Sequence, residues 1–537
     1  MSNPSLGPSR PVDLPAQPNL EHLRKIAKQR LKAMRLIVPS AKLADAQFQL
    51  ALEHGFVSWR SMKAAVDRQR PRAGAAEPPP PTASEWSLQS NEAIRAILQD
   101  RIDRERDGVG IVVGVVDASG CRVVAHGRFK PEGRRRVGGD SIFEIGSITK
   151  VFTALLLSDM ALRGEVALDD PAARYLPEGV AMPERGGRKI TLADLATHTS
   201  GLPRSATNIT PNDWVNPYGD YTPERLYAFL NGCTLTRDVG ARYEYSNIGA
   251  GLLGHLLARR LDADYRGLLK SRVTGPLGMK DTSPQLSPGQ AKRLAQGHDA
   301  DGRPAPAWRD SDSTAAGGGL LLSTADDLLK LLAVALGYEA SPLKPAIDAQ
   351  LAYPMRTIEE PGGLFSTASG EAAAAGLGWH AIEAEGERLV RHNGGTAGYR
   401  AFLGLNPARG WGAVVLTNTG GARGGDDIGR QILAGAPLAP GWPRRRRPIA
   451  LAPSVLERYV GRYRYPTGDW MEIRRSDQGL SASLGGQTAQ PIAALSPTEF
   501  FYRTIEVDLS FETDGDGRAI ALVTRSQARG ENRAFRE

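Results

Sequence analysis

Residues 140–150 read Asp140-Ser141-Ile142-Phe143-Glu144-Ile145-Gly146-Ser147-Ile148-Thr149-Lys150, and an apolar helical run from Val151 to Leu162 follows, ended by Gly164. A serine opening a helix with a lysine three residues on puts both side chains on one helical face, one turn apart. There the amine can take the proton of the hydroxyl. The positive end of the helix favours the negative charge that then develops. Serine is a poor nucleophile until a base and a field of this kind act on it. Taken alone, S-x-x-K is also what an ordinary helix start with a solvated lysine looks like, so its weight depends on the rest of the chain.

Two downstream segments supply that weight. Tyr245-Ser246-Asn247 follows Arg242-Tyr243-Glu244, and His392-Asn393-Gly394-Gly395-Thr396-Ala397-Gly398-Tyr399 falls between strand-like runs. Serine β-lactamases and penicillin-binding proteins carry S-x-x-K, then S-D-N or a counterpart, then K-T-G, in that order. The chain resembles this family, and its Y-x-N and H-x-G forms resemble the class C, DD-peptidase and esterase branch. Leu195-Ala196-Thr197-His198-Thr199-Ser200-Gly201-Leu202-Pro203 resembles the family's H-T-S-G-L-P segment. Pro276-Leu277-Gly278-Met279-Lys280-Asp281-Thr282, the stretch from Gly318 to Leu328, and Gly376-Leu377-Gly378-Trp379 are similar to further family segments. The likeness covers residues 88–435.

The resemblance implies an α+β fold of the β-lactamase/transpeptidase type, an antiparallel sheet beside a helical subdomain with the site between them. It implies that Ser147 is the nucleophile of an acyl-enzyme and that Lys150 and Tyr245 share the acid/base work. Which of the two holds the proton stays open, since burial and mutual interaction would shift both. Asn247 would hydrogen-bond the substrate. The backbone N–H groups of Ser147 and Gly395 would form the oxyanion hole, where one donor contributes roughly 3 kcal/mol. Glycines at 394 and 395 let a strand edge approach a substrate closely, a reason that stands without any family. His392 departs from K-T-G. A histidine near its unperturbed pKa of about 6.5 is mostly neutral at pH 7. It therefore offers no permanent cation to a substrate carboxylate, and esters, amides or D-amino-acid peptides become more fitting than carboxylated β-lactams. Asn393 takes the place of the middle threonine, and His198 reads as a structural hydrogen-bonding residue. The alternative is a ligand-binding or scaffold protein with a vestigial site. Retention of Ser147, Lys150, Tyr245 and Asn247 together argues against it.

Other chemistries find no support. The remaining histidines form no metal-ligand pattern, H-E-x-x-H is absent, and G-x-S-x-G is absent. Neither a phosphate-binding loop nor a dinucleotide fingerprint occurs, so no cofactor is expected.

At 537 residues, with 41% hydrophobic and 23% charged, the chain suggests about three globular domains. Residues 1–70 read as a small basic helical module and 71–85 as a Pro-rich linker. Residues 86–436 form the hydrolase domain, 437–450 a Pro/Arg linker, and 451–537 a small antiparallel β domain. The module is read as three short helices over residues 19–68, with Ser40 and Ser58 as caps and Gly55 as a stop. The C-terminal part resembles the lipocalin-like domain appended to some family members. Residues 1–73 hold 13 Lys and Arg against 5 Asp and Glu, which accounts for the whole net charge of +8. A solvated face is the favoured reading of that charge, an acidic partner the alternative, and nucleic acid is disfavoured. The expected partner of the catalytic body is a small-molecule or peptide substrate. Apolar runs are too short to cross a bilayer and no apolar leader follows Met1, so a cytoplasmic location is expected. Cys121 and Cys233 imply no disulfide framework and are expected to be small buried residues.

Overall fold

The computed structural model describes residues 86–209, 218–299, 302–308, 316–358, 373–420, 424–439, 448–466, 470–476, 479–484, 489–502, 507–526 and 530–537, with Thr314 and scattered positions between 20 and 66. The caps and stop expected for the basic module, the linker at 71–85 and the arginine run within 437–450 lie outside these residues. Within the module, Leu23, Ala27, Leu50, Met62 and Val66 are buried against one another.

An eight-stranded antiparallel sheet organises residues 110–417. Its hairpin is β1 (Gly110–Asp117) and β2 (Gly120–Gly127). Two small pairs follow: β3 (Phe143–Glu144) with β6 (Leu322–Ser323), and β4 (Gly297–His298) with β5 (Pro304–Ala305). The sheet resumes with β7 (Arg356–Thr357), β8 (Ala373–Ala375), β9 (His380–Ala384), β10 (Glu387–Gly395), β11 (Arg400–Asn406) and β12 (Trp411–Thr417). The order across it is β2-β1-β12-β11-β10-β9-β8-β7. The first strand thus pairs with the last, from Ile111 opposite Thr417 to Val116 opposite Gly412.

The continuous apolar run of β1 follows from burial on both faces. Ile111, Val113 and Val115 join Phe402 and Val415 under the helices Asn91–Gln99 and Asp426–Ala434. Val112 and Val116, on the alternate pleat, join Val414, Leu416 and the helices Thr149–Leu162 and Ala325–Ala335. The helix Thr149–Leu162 is apolar nearly all round because it runs through this core, with Val151 to Leu157 buried. The larger core therefore sits between sheet and helical layer, which is the α+β arrangement expected.

Cys121 corrects an expectation. It is exposed, because β2 is the edge strand of the sheet; Cys233 is half-buried.

Residues 461–536 close into an eight-stranded antiparallel barrel: β13 (Gly461–Arg464), β14 (Trp470–Ser476), β15 (Gly479–Leu484), β16 (Gln490–Ala494), β17 (Glu499–Tyr502), β18 (Val507–Thr513), β19 (Ala519–Ser526) and β20 (Gly530–Arg536). Closure comes from β13 against β20, with Tyr463 opposite Arg536. Tyr463, Met471, Ile473, Leu509 and Leu522 are fully buried in one cluster. At eight strands a barrel is just wide enough for side chains to fill.

Candidate active site

Ser147 lies on a 3-10 turn, Gly146–Ile148, that leads into the helix Thr149–Leu162. The turn is clamped from behind. The Thr149 hydroxyl donates to the Gly146 carbonyl at 2.6 Å and accepts the Leu321 N–H at 3.1 Å. Ile145 N–H donates to the Leu321 carbonyl at 3.0 Å. The end of β10 then presses on the same turn. A Cβ at Gly394 would come 1.8 Å from the Ile145 oxygen, and one at Gly146, whose φ is +50°, would come 2.6 Å from the Gly395 nitrogen. Two glycines are required because backbone meets backbone, and this contact brings the Ser147 and Gly395 amides to one place.

Lys150 is 3% exposed. Its Nζ stands 3.2 Å from Ser147 Oγ and 2.9 Å from Asn247 Oδ1, and it donates to the Gly318 carbonyl. Burial, and secondarily the charge of Arg204, hold the amine well below its usual pKa. A neutral amine has two N–H donors and one lone pair. The Asn247 and Gly318 oxygens can only accept, so they take the two N–H groups. In that neutral form the lone pair is left to Ser147.

Those two acceptors are fixed by the helix starts that carry them. Ser246 caps the helix Asn247–Arg260, accepting the Gly249 N–H at 2.9 Å and donating to the Pro203 carbonyl at 2.7 Å. Asn247 N–H donates to the Arg204 carbonyl at 2.9 Å. A Cβ at Gly318 would stand 2.8 Å from the Asn247 carbonyl oxygen, so the glycine run lets the short helix Ala316–Gly319 lie directly on the Asn247 helix.

Tyr245 lies beside Ser147, close enough for the serine to act on the tyrosine's pKa, and the ring centroid is 4.8 Å from Lys150 Nζ. Burial pushes its hydroxyl up to about 12, against the opposing pull of Arg204 and Ser147. It is a phenol at neutral pH. His198 packs on this ring at 4.5 Å between centroids, and its Nδ1 accepts the Ser246 N–H at 3.1 Å. His198 holds a left-handed φ of +59°, so its hydrogen-bonded position is strained as well as structural.

His392 is 1% exposed. Its Nδ1 lies 2.6 Å from the Asn393 carbonyl, which can only accept, so Nδ1 carries the hydrogen. Its Nε2 is buried and has no hydrogen-bond partner. Burial first, and then neighbouring His380 and Lys150, hold its pKa well below the usual value. His380 stands 4.9 Å from it between ring centroids and shares a 2.9 Å hydrogen bond with the Tyr243 hydroxyl. Burial, with Arg391 and Lys150, brings His380 down to about 3. Asn393 turns away from the serine and donates to Asp426 at 2.9 Å, beside Arg391 at 3.2 Å.

The structure thus gathers Ser147, Lys150, Tyr245, Asn247, His392, Gly394 and Gly395 around one point. Sequence reasoning missed His380, Tyr243 and Arg204. His380 directly follows the Gly376–Trp379 segment, and Arg204 directly follows Pro203 of the H-T-S-G-L-P segment, so their positions beside known motifs were the available signal. Among the described residues, no group of three or more His, Cys, Asp or Glu could hold a metal ion, and no helix is long and apolar enough to cross a membrane.

Comparison with known proteins agrees with this geometry. The family model described as beta-lactamase matches residues 94–436, and residues 445–537 match a domain of unknown function, DUF3471. The D-alanyl-D-alanine-carboxypeptidase/endopeptidase AmpH of Escherichia coli is 29% identical over 344 residues, 62% of this chain and 88% of its own. A beta-lactamase of Lysobacter lactamgenus is 26% identical over 371 residues, 64% of this chain and 90% of its own. Among solved structures, a beta-lactamase/D-alanine carboxypeptidase from Yersinia pestis, complexed with citrate, is similar at a TM-score of 0.53 and 26% identity, covering 61% of this chain and 92% of that one. With the match spanning well over half of the sequence, and the sheet and helical layer arranged as in that enzyme, the chain belongs to the beta-lactamase family.

Proposed function

We propose that this protein is a serine hydrolase that cleaves an amide or ester through an acyl-enzyme on Ser147. The observation that carries the reading is the buried Lys150 amine, 3.2 Å from Ser147 Oγ, with the Asn247 and Gly318 oxygens accepting its other hydrogens, so that its neutral form turns a lone pair to the Ser147 hydroxyl. Lys150 takes the serine proton as Oγ attacks the carbonyl carbon. The resulting oxyanion is held by the Ser147 and Gly395 N–H groups. Tyr245, a phenol beside Ser147, gives its proton to the departing nitrogen or oxygen and recovers one from the Lys150 ammonium. Water then attacks the acyl-serine by the same route in reverse. With a depressed amine and a raised phenol, the lysine is the base and the tyrosine the acid in this scheme.

His392 bears on the substrate. Neutral, with Nδ1–H committed to its own chain, it offers an acceptor and no positive charge on the strand side. A leaving group with an N–H, an O–H or a plain ester suits that wall better than a carboxylate. D-amino-acid amides and esters whose leaving group has no free carboxylate fit this requirement; the C-terminal D-alanine in the name of the carboxypeptidase relative carries one and would need a cation elsewhere in the site. Replacement of Ser147 by alanine is expected to abolish hydrolysis of 4-nitrophenyl acetate while leaving the thermal midpoint within about 2 °C, since the side chain is half-exposed. Turnover retained by the variant would overturn the mechanism.

A further inference from the structure

A permanent cation does face this site, on a different element from the one that carries it in K-T-G. Arg204 lies in the loop that follows the helix Leu192–Ala196, and its guanidinium is 5.0 Å from the centre of the Tyr245 ring. Its carbonyl accepts the N–H of Asn247, which ties the residue's backbone to the start of the Asn247 helix. The side chain is half-exposed, so an incoming group can reach it. Burial is the first cause of the shifts at Lys150, His198, Tyr243 and Tyr245, and the Arg204 charge acts on all four as well. A charge felt by that many groups of one site stands among them. Three histidines there, at 198, 380 and 392, are held below their usual pKa and are neutral at pH 7, and burial depresses the Lys150 amine as well.

We propose that Arg204 is a specificity-determining residue that binds a carboxylate flanking the substrate's scissile bond. This deepens the reading of Ser147 as the acylated nucleophile and rests on it. A guanidinium is planar, always charged and shaped to take a carboxylate by two parallel hydrogen bonds. The site's anion anchor is therefore not on the strand, where His392 is neutral, but on the loop that follows the helix Leu192–Ala196. A substrate carboxylate would be selected by its position, bound at the Arg204 side and unsupported at the β10 side.

The test uses substrate pairs that differ only in that charge. One pair is 4-nitrophenyl hydrogen glutarate and its methyl ester, with the carboxylate on the acyl side. The other is an N-acetyl-D-alanyl-D-lactate and its methyl ester, with the carboxylate on the leaving side. The ratio of kcat/KM for acid over methyl ester is read in wild type, Arg204→Gln and Arg204→Lys, which cancels any general change in activity. A charge-assisted pair predicts that Arg204→Gln lowers this ratio about 10- to 100-fold in at least one pair, with Arg204→Lys keeping the larger part of it. A ratio unchanged in both pairs overturns the assignment. Binding of the glutarate acid to a Ser147→Ala protein, with and without Arg204→Gln, is measured by calorimetry alongside. Affinity lost with the arginine, in a wild type that hydrolyses neither pair, would support the anion site and overturn the hydrolase.

Discussion

Gly394→Ala is the substitution for which the structure dictates the largest loss from the smallest change. The added methyl would fall 1.8 Å from the Ile145 carbonyl oxygen, a backbone atom that no rotamer change can remove. Real contacts of this kind do not close below 3.0 Å, so β10 and the Gly146–Ile148 turn must separate by about 1.2 Å. Those two segments carry the Gly395 and Ser147 amides proposed as the oxyanion hole. A donor moved by that distance leaves hydrogen-bonding range, which ends near 3.2 Å. Losing one oxyanion donor costs about 2.7–4 kcal/mol, or roughly 100- to 1,000-fold in kcat. Crowding of the turn should also lower stability by about 1–3 kcal/mol. Gly289→Ala is the control, because its Cβ would meet nothing within 4 Å at an exposed position. Its kcat should stay within about threefold of wild type, since the added methyl touches neither segment. Steady-state hydrolysis of a 4-nitrophenyl ester by both variants, with thermal midpoints, makes the comparison. A Gly394→Ala enzyme as fast as Gly289→Ala would refute the reasoning.

Acid should destabilise the folded chain through its buried histidines. At His380 the unfolded chain binds a proton near 6.5 and the folded chain only near 3, so stability is lost as pH falls through that window. His198 and His392 shift in the same direction. Glu144 opposes them: burial raises it to about 7 from 4.5, so the folded state gains stability from pH 7 down to 4.5. Three groups outweigh one, and His380→Gln should recover on the order of 2 kcal/mol of the loss between pH 6.5 and 4, read from urea midpoints against pH. A variant whose pH slope matches wild type would count against the neutral histidine cluster. Separately, removal of residues 1–80, proposed as a detachable module and linker, should leave ester turnover within about twofold; a tenfold loss would mean that the module takes part in the site.

Much of the site could be read along the chain because its parts are local. Ser147 and Lys150 lie one turn apart, Asn247 opens a helix behind a capping serine, and Gly394 and Gly395 end a strand. The hairpin β1–β2 shows in the sequence as apolar runs on either side of Ala118-Ser119-Gly120, and β10 to β12 as the strand-like runs around His392–Tyr399. Strands β7 to β9 were not. They are short and rich in alanine or charge, and they owe their form to pairing with β10 and not to their own pattern. In the barrel, β17 and β20 escaped for related reasons: one has four residues, and the described side chains of the other are mostly polar or exposed, with Ala534 turned inward. His380 and Arg204 were silent because their relevance is a matter of distance to Tyr245 and His392, which are remote in sequence. Overall charge was no guide either. Residues 74–537 are formally neutral, and the charge that matters to the site is one arginine placed beside it.

The central claim, an activated Ser147, is tested most directly by intact-mass analysis after brief exposure to a fluorophosphonate, on wild type and on Ser147→Ala. The account predicts a single adduct on wild type and none on the variant. A folded wild type that takes up no label, or a variant labelled as readily as wild type, would contradict it.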